Sequence, residues 1–408
     1  MVRLIEKNYL KEVVVSNMKY DDLIKQYKTP MFLYDSSLLQ DRIHYIRSKL
    51  NDSYKIIYAV KANTFIVKDL DDLVDGYEVC SFGEYEICQS YGITNHKYVI
   101  SGVYKDRDSI SQILEDGVEK FTIESLQQYL LFKELTEHFH KKIEVLIRLT
   151  SLNQFGVSEE DFKKIIEWNQ DNSFIQIVGV EYFTGTQKHS IKKINREIDY
   201  LIDFIERIES EYSITLNEVE YGTGSPVFYF QEESFDEDEY FHELNMALSK
   251  IQNKVISLEM GRSIAASCGE YITSIVDMKE HSLGNSLILD GGINHLVYYG
   301  QTMAMRVPFF HLYPKRGSEL KTFNLYGSLC TVNDIIVKNV ELNCPKIGDY
   351  FVFQKVGAYS ITEGIALFLS REMPCVVICD REGKYHLVRD HVKTSVINSS
   401  HYDVKEYD

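Results

Sequence analysis

The sequence has no long apolar run, and this absence limits where the protein can act. No uninterrupted apolar segment among the 408 residues is long enough to cross a bilayer. The N-terminal stretch MVRLIEKNYLKEVVV places charged residues where a secretory signal peptide needs its apolar centre. We therefore expect a cytoplasmic protein with no membrane partner.

Positive charge is also scarce. The chain has 44 lysine and arginine residues against 61 aspartate and glutamate residues, so its formal net charge is −17. Nucleic acids and anionic membranes carry negative charge of their own, so this surplus disfavours them as main partners. A locally positive pocket for a phosphate group remains compatible with it.

Closely spaced cysteine pairs are missing. The seven cysteines form no CxxC pair, and two of them lie in the strand-like run CVVIC (375–379). Zinc and redox sites often use such pairs. We therefore expect buried, small hydrophobic thiols rather than disulfides or metal ligands, and we predict no metal site.

Only six prolines occur and no low-complexity linker marks a boundary, so the domain organisation must come from periodicity. Short β-rich runs alternate with amphipathic helical segments, which predicts an α/β protein with a (β/α)8 TIM barrel at residues 36–280. The remaining chain, 1–35 and 281–408, is rich in strands and predicts a β domain. The eight runs are KIIYAV (55–60), YEVCS (77–81), KYVIS (97–101), EKFTI (119–123), IEVLIRL (143–149), IVGVEYF (177–183), LNEVEY (216–221) and VISLEM (255–260).

The hexamer YAVKAN (58–63) places a lysine at the end of the first run. Active sites of such barrels lie at the C-terminal ends of the strands, so we expect Lys61 at the barrel mouth. Loss of hydration in an apolar wall would disfavour the ammonium form and lower the pKa of Lys61, which suits Schiff-base chemistry. The alternative is a rim lysine in an ordinary salt bridge.

Two later strand ends carry further polar groups. EYGTGSP (220–226) contains a tight turn whose backbone amides can face an anion. EMGR (259–262) places a carboxylate and a guanidinium on either side of a glycine. Glu259 could keep a heteroaromatic nitrogen protonated, and Arg262 could reach a phosphate. The alternative for EYGTGSP is a common glycine-serine turn that binds nothing, and the alternative for EMGR is a simple ion pair between Glu259 and Arg262.

With these three segments in order, the sequence resembles the fold type III pyridoxal-phosphate decarboxylases. This group includes the diaminopimelate, ornithine and arginine decarboxylases and has an alanine-racemase-like barrel. The resemblance extends over roughly residues 30–380. Further motifs carry it: GYEVCSFGE (76–84), RLTSLNQFGVS (148–158), GVEYFTGTQ (179–187), LYGSLCTVND (325–334) and VGAYS (356–360).

The resemblance implies an amino-acid decarboxylase with pyridoxal 5′-phosphate bound to Lys61 as the internal aldimine. Glu259 would keep the pyridine nitrogen protonated, and Cys330 would return a proton to the carbanion left by CO2. By the family pattern Cys330 and Asp334 come from the partner subunit, which implies a homodimer with shared active sites. The implied cofactor-binding residues are Lys61, Glu78, Ser81, Phe183, Thr186, Gly222, Thr223, Gly224, Glu259, Gly261, Arg262 and Tyr359.

The sequence departs from the family pattern around the expected cofactor. Phe183 stands where these enzymes usually carry a histidine stacked on the ring. An aromatic side chain can still stack, but a polar group on that face is lost. Thr223 stands where a glycine is expected, and Ser225 where an aromatic residue is common.

The substrate prediction rests on two other departures. Tyr298 lies about where diaminopimelate decarboxylases carry an arginine for the distal carboxylate, and Arg306 is a candidate to replace that arginine. The LCTxxD form, with threonine after Cys330, resembles decarboxylases of siderophore and other specialised pathways. We expect a carboxylated or non-standard amino acid, such as a citryl- or peptidyl-linked amine precursor. Its predicted contacts are Asp334, Arg306 and Tyr298.

Three alternatives stay open. One is a diaminopimelate decarboxylase of lysine biosynthesis. Another is an amino-acid racemase, although alanine racemases follow the lysine motif with a Tyr-Gly-His-Gly-like run and here Thr-Phe-Ile-Val follows Asn63. The third is a non-catalytic regulatory homologue, against which the retention of Lys61, Glu259, Arg262 and Cys330 argues.

Overall fold

The computed structural model of the protein describes residues 17–281 and 284–400. The N-terminal stretch from which the location was predicted (1–15) and the last residues of the predicted β domain (401–408) lie outside that part. The described chain begins with α1 (Asn17–Tyr27), β1 (Met31–Asp35) and α2 (Ser36–Lys49). No helix in the described ranges is long and apolar enough to span a membrane.

Eight parallel strands close into a barrel, so the predicted fold class is confirmed. The strands end within a few residues of the predicted runs. The first one stops at Ala59 because the chain then tightens into a 3-10 turn, Val60–Ala62. The barrel strands are β2 (Lys55–Ala59), β3 (Gly76–Val79), β4 (Tyr98–Ile100), β5 (Lys120–Ile123), β6 (Ile143–Leu149), β7 (Ile175–Tyr182), β8 (Glu218–Gly222) and β9 (Val255–Met260).

Amphipathic helices connect these strands, and α8 (Ile191–Tyr212) shows how the sequence sets them. Ile194, Ile198 and Leu201 recur at helical spacing and are buried. Glu197 lies on the same buried face, where a carboxylate is costly unless it is paired. The other helices of the barrel are α3 (Val67–Leu70), α4 (Phe82–Ser90), α5 (Arg107–Glu115), α6 (Leu126–Phe139), α7 (Glu159–Asn169), α9 (Glu237–Leu248) and α10 (Arg262–Ala265).

A second, mostly antiparallel sheet follows the barrel. Strand β1 lies inside this sheet, antiparallel to β10 (Gly269–His281) and parallel to β16 (Cys375–Cys379), so the N-terminal strand belongs to the β domain. Its other elements are β11 (Gly284–Leu289), β12 (Phe310–Tyr313), β13 (Leu320–Tyr326), β14 (Ile335–Asn343), β15 (Tyr350–Gln354), β17 (Tyr385–Arg389) and the short helices α11 (Ser360–Glu363) and α12 (Thr394–Ile397).

The β domain touches the barrel at the turn that carries Lys61. The Asn63 side chain donates to the carbonyl oxygen of Gly357 at 2.8 Å, and the Tyr359 amide donates to that of Ala62 at 2.7 Å. A Cβ on Gly357 would lie 1.9 Å from the backbone oxygen of Ala265, so glycine is required at this approach. The contact fixes the loop after β15, and with it Tyr359, beside the barrel mouth.

Candidate active site

Lys61 lies at the C-terminal end of β2, as expected. Its Nζ donates to Glu78 Oε2 at 2.7 Å and to Glu259 Oε1 at 3.2 Å, and it lies 3.7 Å from the Cys80 sulfur. The two carboxylates come from β3 and β9, the neighbours of β2 on either side. About a third of the Lys61 side chain (34%) is accessible, so the amine is both fixed and reachable.

The predicted fall in the pKa of Lys61 is wrong. Burial alone lowers the pKa of this amine, but the nearby carboxylates of Glu259 and Glu78 outweigh burial and hold the pKa well above its usual value. Lys61 is therefore an ammonium ion in this arrangement. Schiff-base formation at this amine requires that a proton first leave it.

Three carboxyl groups at this point share the negative charge unequally. Oxygens of Glu78, Glu181 and Glu259 lie within 4.8 Å of one another, too close for all three to ionise easily. Burial raises the pKa of Glu78, but the Lys61 ammonium and a hydrogen bond with Glu259 bring it down to about 2. Burial and the charge of Glu78 raise the pKa of Glu259 to about 8, and burial raises that of Glu181 to about 7. Glu78 thus carries the charge, while Glu259 keeps a proton near neutral pH.

A second row of buried charges crosses neighbouring strands, and the sequence analysis missed it. Arg148 on β6 lies 3.2 Å from Glu181 on β7 and 3.4 Å from Glu124. On β8, Glu220 is buried, and within the described chain neither of its carboxylate oxygens has a hydrogen-bond partner. Burial and the neighbouring carboxylates raise its pKa well above the usual value. The sequence pattern that could have indicated these buried charges is a charged residue inside an apolar strand-like run, as in IEVLIRL.

Arg262 forms the other side of the site. It is buried, its Nε donates to Thr186 Oγ1 at 3.2 Å, and its Nη1 donates to the Tyr229 hydroxyl at 3.0 Å. The ring of Tyr359 lies 4.4 Å from the guanidinium carbon. Among the residues that the structure describes, no carboxylate pairs with this guanidinium. Hydroxyl and aromatic neighbours without a carboxylate suit a bound anion.

Residues 222–226, the glycine turn, lie against the loop after β7. Gly224 has φ +57°, and a Cβ there would lie 2.2 Å from the backbone oxygen of Gly185, so only glycine fits. The Thr223 hydroxyl accepts hydrogen bonds from the amide and hydroxyl of Ser225 at 3.3 and 3.0 Å. The extra Cβ at position 223 is therefore accommodated inside the turn.

Phe183, in place of the usual histidine, packs on the first residue of this turn. A Cβ on Gly222 would lie 2.3 Å from the Phe183 ring, so the ring needs a glycine there. The ammonium of Lys188 lies 5.5 Å from the centre of the same ring. Gly261 allows a similar approach on the opposite side, because a Cβ there would lie about 3 Å from those of Ala62 and Ala59.

Ser81 has a structural role in this arrangement. Its hydroxyl accepts from the Glu84 amide at 3.2 Å, and Glu84 accepts from the Cys80 amide at 2.8 Å, so the pair caps the start of α4. Cys80 was not predicted, although it follows Glu78 on the same face of the chain. Its thiol donates to Glu78 Oε1 at 3.3 Å, next to the Lys61 amine.

Asp334 accepts hydrogen bonds from two backbone amides, one in its own loop and one from the segment after β11. One carboxylate oxygen accepts from the Ile293 amide at 2.9 Å and the other from the Leu329 amide at 2.7 Å. Both oxygens thus brace the loop within one subunit, and the expected contact of Asp334 with the substrate in the partner's site stays a prediction. Cys330, in that loop, is exposed and makes no contact with Lys61 within the described residues.

The two other predicted substrate contacts are engaged as well. Arg306 donates to Glu232 at 2.8 Å and Glu233 at 2.7 Å, and its guanidinium lies 4.1 Å from the centre of the Phe230 ring. Tyr298 is buried and donates to the carbonyl oxygen of Gln354 at 2.8 Å. Both side chains are thus engaged within the subunit, and their predicted contacts with the substrate stay predictions.

Pyridoxal phosphate, the cofactor implied by the sequence resemblance, fits the residues gathered here. Lys61 provides the amine. The Glu259 Oε2 atom is buried without a hydrogen-bond partner in the described chain, as expected for a group that meets a ring nitrogen. The buried guanidinium of Arg262, with the Thr186 hydroxyl beside it, provides the positive charge that a phosphate needs.

Comparisons with known proteins agree with this geometry. Residues 37–266 match the model of the pyridoxal-dependent decarboxylases, pyridoxal binding domain. The chain is 25% identical over 397 residues to L-glutamyl-(BtrI acyl-carrier protein) decarboxylase of Niallia circulans, which covers 90% of this chain and 92% of that protein. It is 28% identical over 361 residues to diaminopimelate decarboxylase of Helicobacter pylori, which covers 83% and 88%.

Solved structures share the fold. Diaminopimelate decarboxylase from M. jannaschii, in complex with L-lysine, superposes with a TM-score of 0.84 at 21% identity over 94% of each chain. Lysine/ornithine decarboxylase from Vibrio vulnificus, in complex with cadaverine, gives a TM-score of 0.78 at 22% identity over 88% of this chain and 97% of that chain. The similarity therefore includes both the barrel and the β domain.

Replacing Glu220 by glutamine should stabilise the protein more at about pH 8 than at about pH 5. Unfolded Glu220 ionises near its usual pKa, whereas folded Glu220 keeps its proton to a much higher pH. Stability is therefore lost as the pH rises from the unfolded pKa towards the folded pKa. Glutamine removes this loss, so we expect a gain of about 1–3 kcal/mol at the higher pH, measured as the unfolding temperature.

The control is Glu144→Gln on β6, whose side chain is exposed. It should leave the unfolding temperature unchanged at both pH values. Destabilisation of Glu220→Gln at the higher pH, or an equal gain at both values, would show that Glu220 is ionised in the folded protein.

Proposed function

Because the chain belongs to the pyridoxal-dependent decarboxylases, we propose that it releases CO2 from a carboxylated or otherwise non-standard amino acid at Lys61. As a member of this family it is a carboxy-lyase that uses pyridoxal 5′-phosphate. One observation carries the assignment of the residues: the Lys61 amine lies between Glu78 and Glu259 at the mouth of the barrel. On the other side of the site, the Arg262 guanidinium is placed beside the Thr186 hydroxyl, where it could bind a phosphate.

The proposed roles follow from these positions. Bound pyridoxal phosphate supplies an electron sink for the carbon that loses CO2. Lys61 would hold the cofactor, and Glu259 would share its proton with the ring nitrogen. Arg262 and Thr186, together with the glycine turn, would bind the phosphate. Phe183 would cover one face of the ring, where its aromatic surface excludes water without adding a charge.

The proposed substrate has a distal end that does not need a positively charged partner. Tyr298, at the position where diaminopimelate decarboxylases carry an arginine, is buried and its hydroxyl is hydrogen-bonded. Arg306, the candidate replacement, is already paired with two glutamates. A free distal carboxylate would therefore find no cation at these two positions. A distal carboxyl joined to another group, as an ester, thioester or amide, does not require one.

Similarity to the Niallia circulans protein supports this class. That relative acts on an L-glutamyl group joined to an acyl-carrier protein, and the match covers most of both chains. We propose for this chain an amino acid whose side-chain carboxyl is joined to a larger group, in siderophore or other specialised metabolism. We also retain as a proposal that the enzyme acts in the cytoplasm.

We further propose a homodimer in which Cys330 of one subunit reaches the Lys61 site of the other. The loop that carries Cys330 is braced by Asp334 and tied to the following segment by the bond from Arg371 to the Ser328 oxygen at 2.7 Å. Val332 in this loop is exposed by 86%, and Leu367, Phe368 and Leu369, in the segment just before Arg371, are exposed by 44–48%. An apolar surface of this kind suits a subunit interface.

We expect the enzyme to release CO2 fastest from linked substrates. A γ-glutamyl thioester of N-acetylcysteamine and a citryl-linked diamino acid should exceed meso-diaminopimelate, ornithine and free glutamate by about tenfold or more in kcat/KM. The reason is that neither Tyr298 nor Arg306 offers a free cation for an unlinked distal carboxylate. The measurement is CO2 release under identical conditions for each compound.

Lys61→Ala provides the control, because it should release no CO2 from any compound. Fastest turnover of meso-diaminopimelate would support the lysine-pathway alternative. Absence of CO2 release from every compound, together with failure of the purified protein to take up pyridoxal phosphate, would support the regulatory homologue.

Subunit mixing tests the shared site. Lys61→Ala and Cys330→Ala should each be nearly inactive as homodimers, because each lacks one half of every site. Mixed at equal amounts and allowed to exchange, they should recover about a quarter of the normal activity, since about half of the dimers carry one intact site. Lack of recovery in dimers shown by mass spectrometry to be mixed would mean that Cys330 acts within its own subunit.

A further inference from the structure

A fully buried lysine lies behind the glycine turn, outside the roles assigned so far. Only 1% of the Lys188 side chain is exposed. Its Nζ donates to Glu197 Oε2 at 2.8 Å, to the Gly222 carbonyl oxygen at 2.9 Å and to the Tyr221 hydroxyl at 3.2 Å. Burying an ammonium ion is costly, so a lysine here needs an explanation beyond filling space.

Lys188 joins the two loops proposed to hold the phosphate. It follows Thr186 by two positions in the loop after β7, and it reaches the turn after β8 at two points. Its amide donates to the Gly224 oxygen at 2.8 Å, while its ammonium binds the Gly222 oxygen. A Cβ on Gly224 would lie 2.9–3.0 Å from the Lys188 side chain, so the stem packs directly on the turn.

The partners of Lys188 are themselves fixed. Glu197, on the buried face of α8, also accepts from the Tyr221 hydroxyl at 2.6 Å and from Thr184 Oγ1 at 2.5 Å. A second lysine, Lys193, lies 3.8 Å from the other oxygen of Glu197, but half of its side chain is exposed. The ammonium that reaches the turn is therefore that of Lys188, and Lys193 offers a matched comparison.

Phe183 depends on the same lysine. The Lys188 ammonium lies 5.5 Å from the centre of the Phe183 ring and 4.6 Å from that of Tyr221, within the range of cation–π attraction. The Phe183 ring also packs on Gly222. One side chain thus contacts the ring that would cover the cofactor and the turn that would bind its phosphate.

We propose that Lys188 is a positioning residue for the cofactor phosphate, holding the glycine turn and Phe183 in place from behind. The inference rests on the proposed phosphate site at Arg262 and Thr186 and adds a residue that has no contact with the cofactor itself. The Gly222 and Gly224 oxygens point to Lys188, which keeps them turned away from an incoming anion. A side chain without a donor, such as methionine, would leave the Gly222 oxygen without its side-chain donor and Glu197 without the cation that pairs with it in the buried network.

The test compares cofactor binding with and without the phosphate. Apoenzyme of Lys188→Met and of Lys193→Met is titrated with pyridoxal phosphate and with pyridoxal, following the visible absorbance of the bound aldehyde. Lys188→Met should weaken pyridoxal phosphate binding by about 10- to 100-fold and pyridoxal binding by less than about threefold. Lys193→Met should match the unchanged protein for both compounds. Equal weakening for the two compounds, or none, overturns the proposal.

Two further variants separate folding defects from positioning. Glu197→Gln keeps the Lys188 bond to the Gly222 oxygen, so pyridoxal phosphate affinity should stay within about threefold of normal even if the unfolding temperature falls. A loss as large as that of Lys188→Met overturns the positioning role, because the ion pair would then act only through stability.

Arg262→Met should also lose affinity selectively for the phosphorylated compound. If Arg262→Met weakens the binding of both compounds equally, the proposed phosphate site itself is wrong. If Arg262→Met is selective for the phosphorylated compound and Lys188→Met is not, only the role of Lys188 is wrong.

Discussion

The Lys61 ammonium allows two carboxyl groups to be buried at the mouth of the barrel, and the rest of the site depends on that contact. Removing a carboxylate from water costs several kcal/mol unless a cation and hydrogen bonds replace the water. The Lys61 ammonium replaces that water at Glu78, which it contacts at 2.7 Å, and Glu78 stays ionised. Glu259, at 3.2 Å from the same amine, keeps its proton. The proton on Glu259 suits a ring nitrogen, and the two acidic neighbours fix the position of the Lys61 amine, which must lose a proton before it reacts with an aldehyde.

The side of the site that holds Arg262 is organised differently. There, Arg262 is surrounded by hydroxyl groups and aromatic rings, and its positive charge is not balanced by a carboxylate in the described chain. The two sides therefore offer opposite charge: acidic groups around Lys61 and a cation near the glycine turn. The β domain completes this side by placing Tyr359 against the guanidinium, so both parts of the protein contribute to the site.

Much of the fold was predictable because local patterns decide it. Eight β-rich runs separated by amphipathic helices specify a barrel, and Gly224 specifies a turn that no other residue allows. The charge states were not predictable from local sequence. Glu78 and Glu259 lie 17 and 198 residues from Lys61 along the chain, and only closure of the barrel brings both to the amine. The expectation of a neutral Lys61 failed for this reason.

The same limit applies to the contacts of individual site residues. Asp334 follows Cys330 in a short motif, and the motif alone does not reveal that its oxygens accept from the amides of Ile293 and Leu329 once the chain folds. Lys188 was missed for the opposite reason. Its neighbours in sequence are unremarkable in composition, and its role depends on a carbonyl group of the next strand and a carboxylate of the following helix.

The most direct test of the account is to find which lysine carries the cofactor. Borohydride reduction of the enzyme loaded with pyridoxal phosphate, followed by digestion and mass spectrometry, should place the pyridoxyl group on the peptide that contains YAVKAN and on Lys61 within it. Label on Lys188 or on no single lysine would contradict the central claim that the amine between Glu78 and Glu259 is the point of attachment.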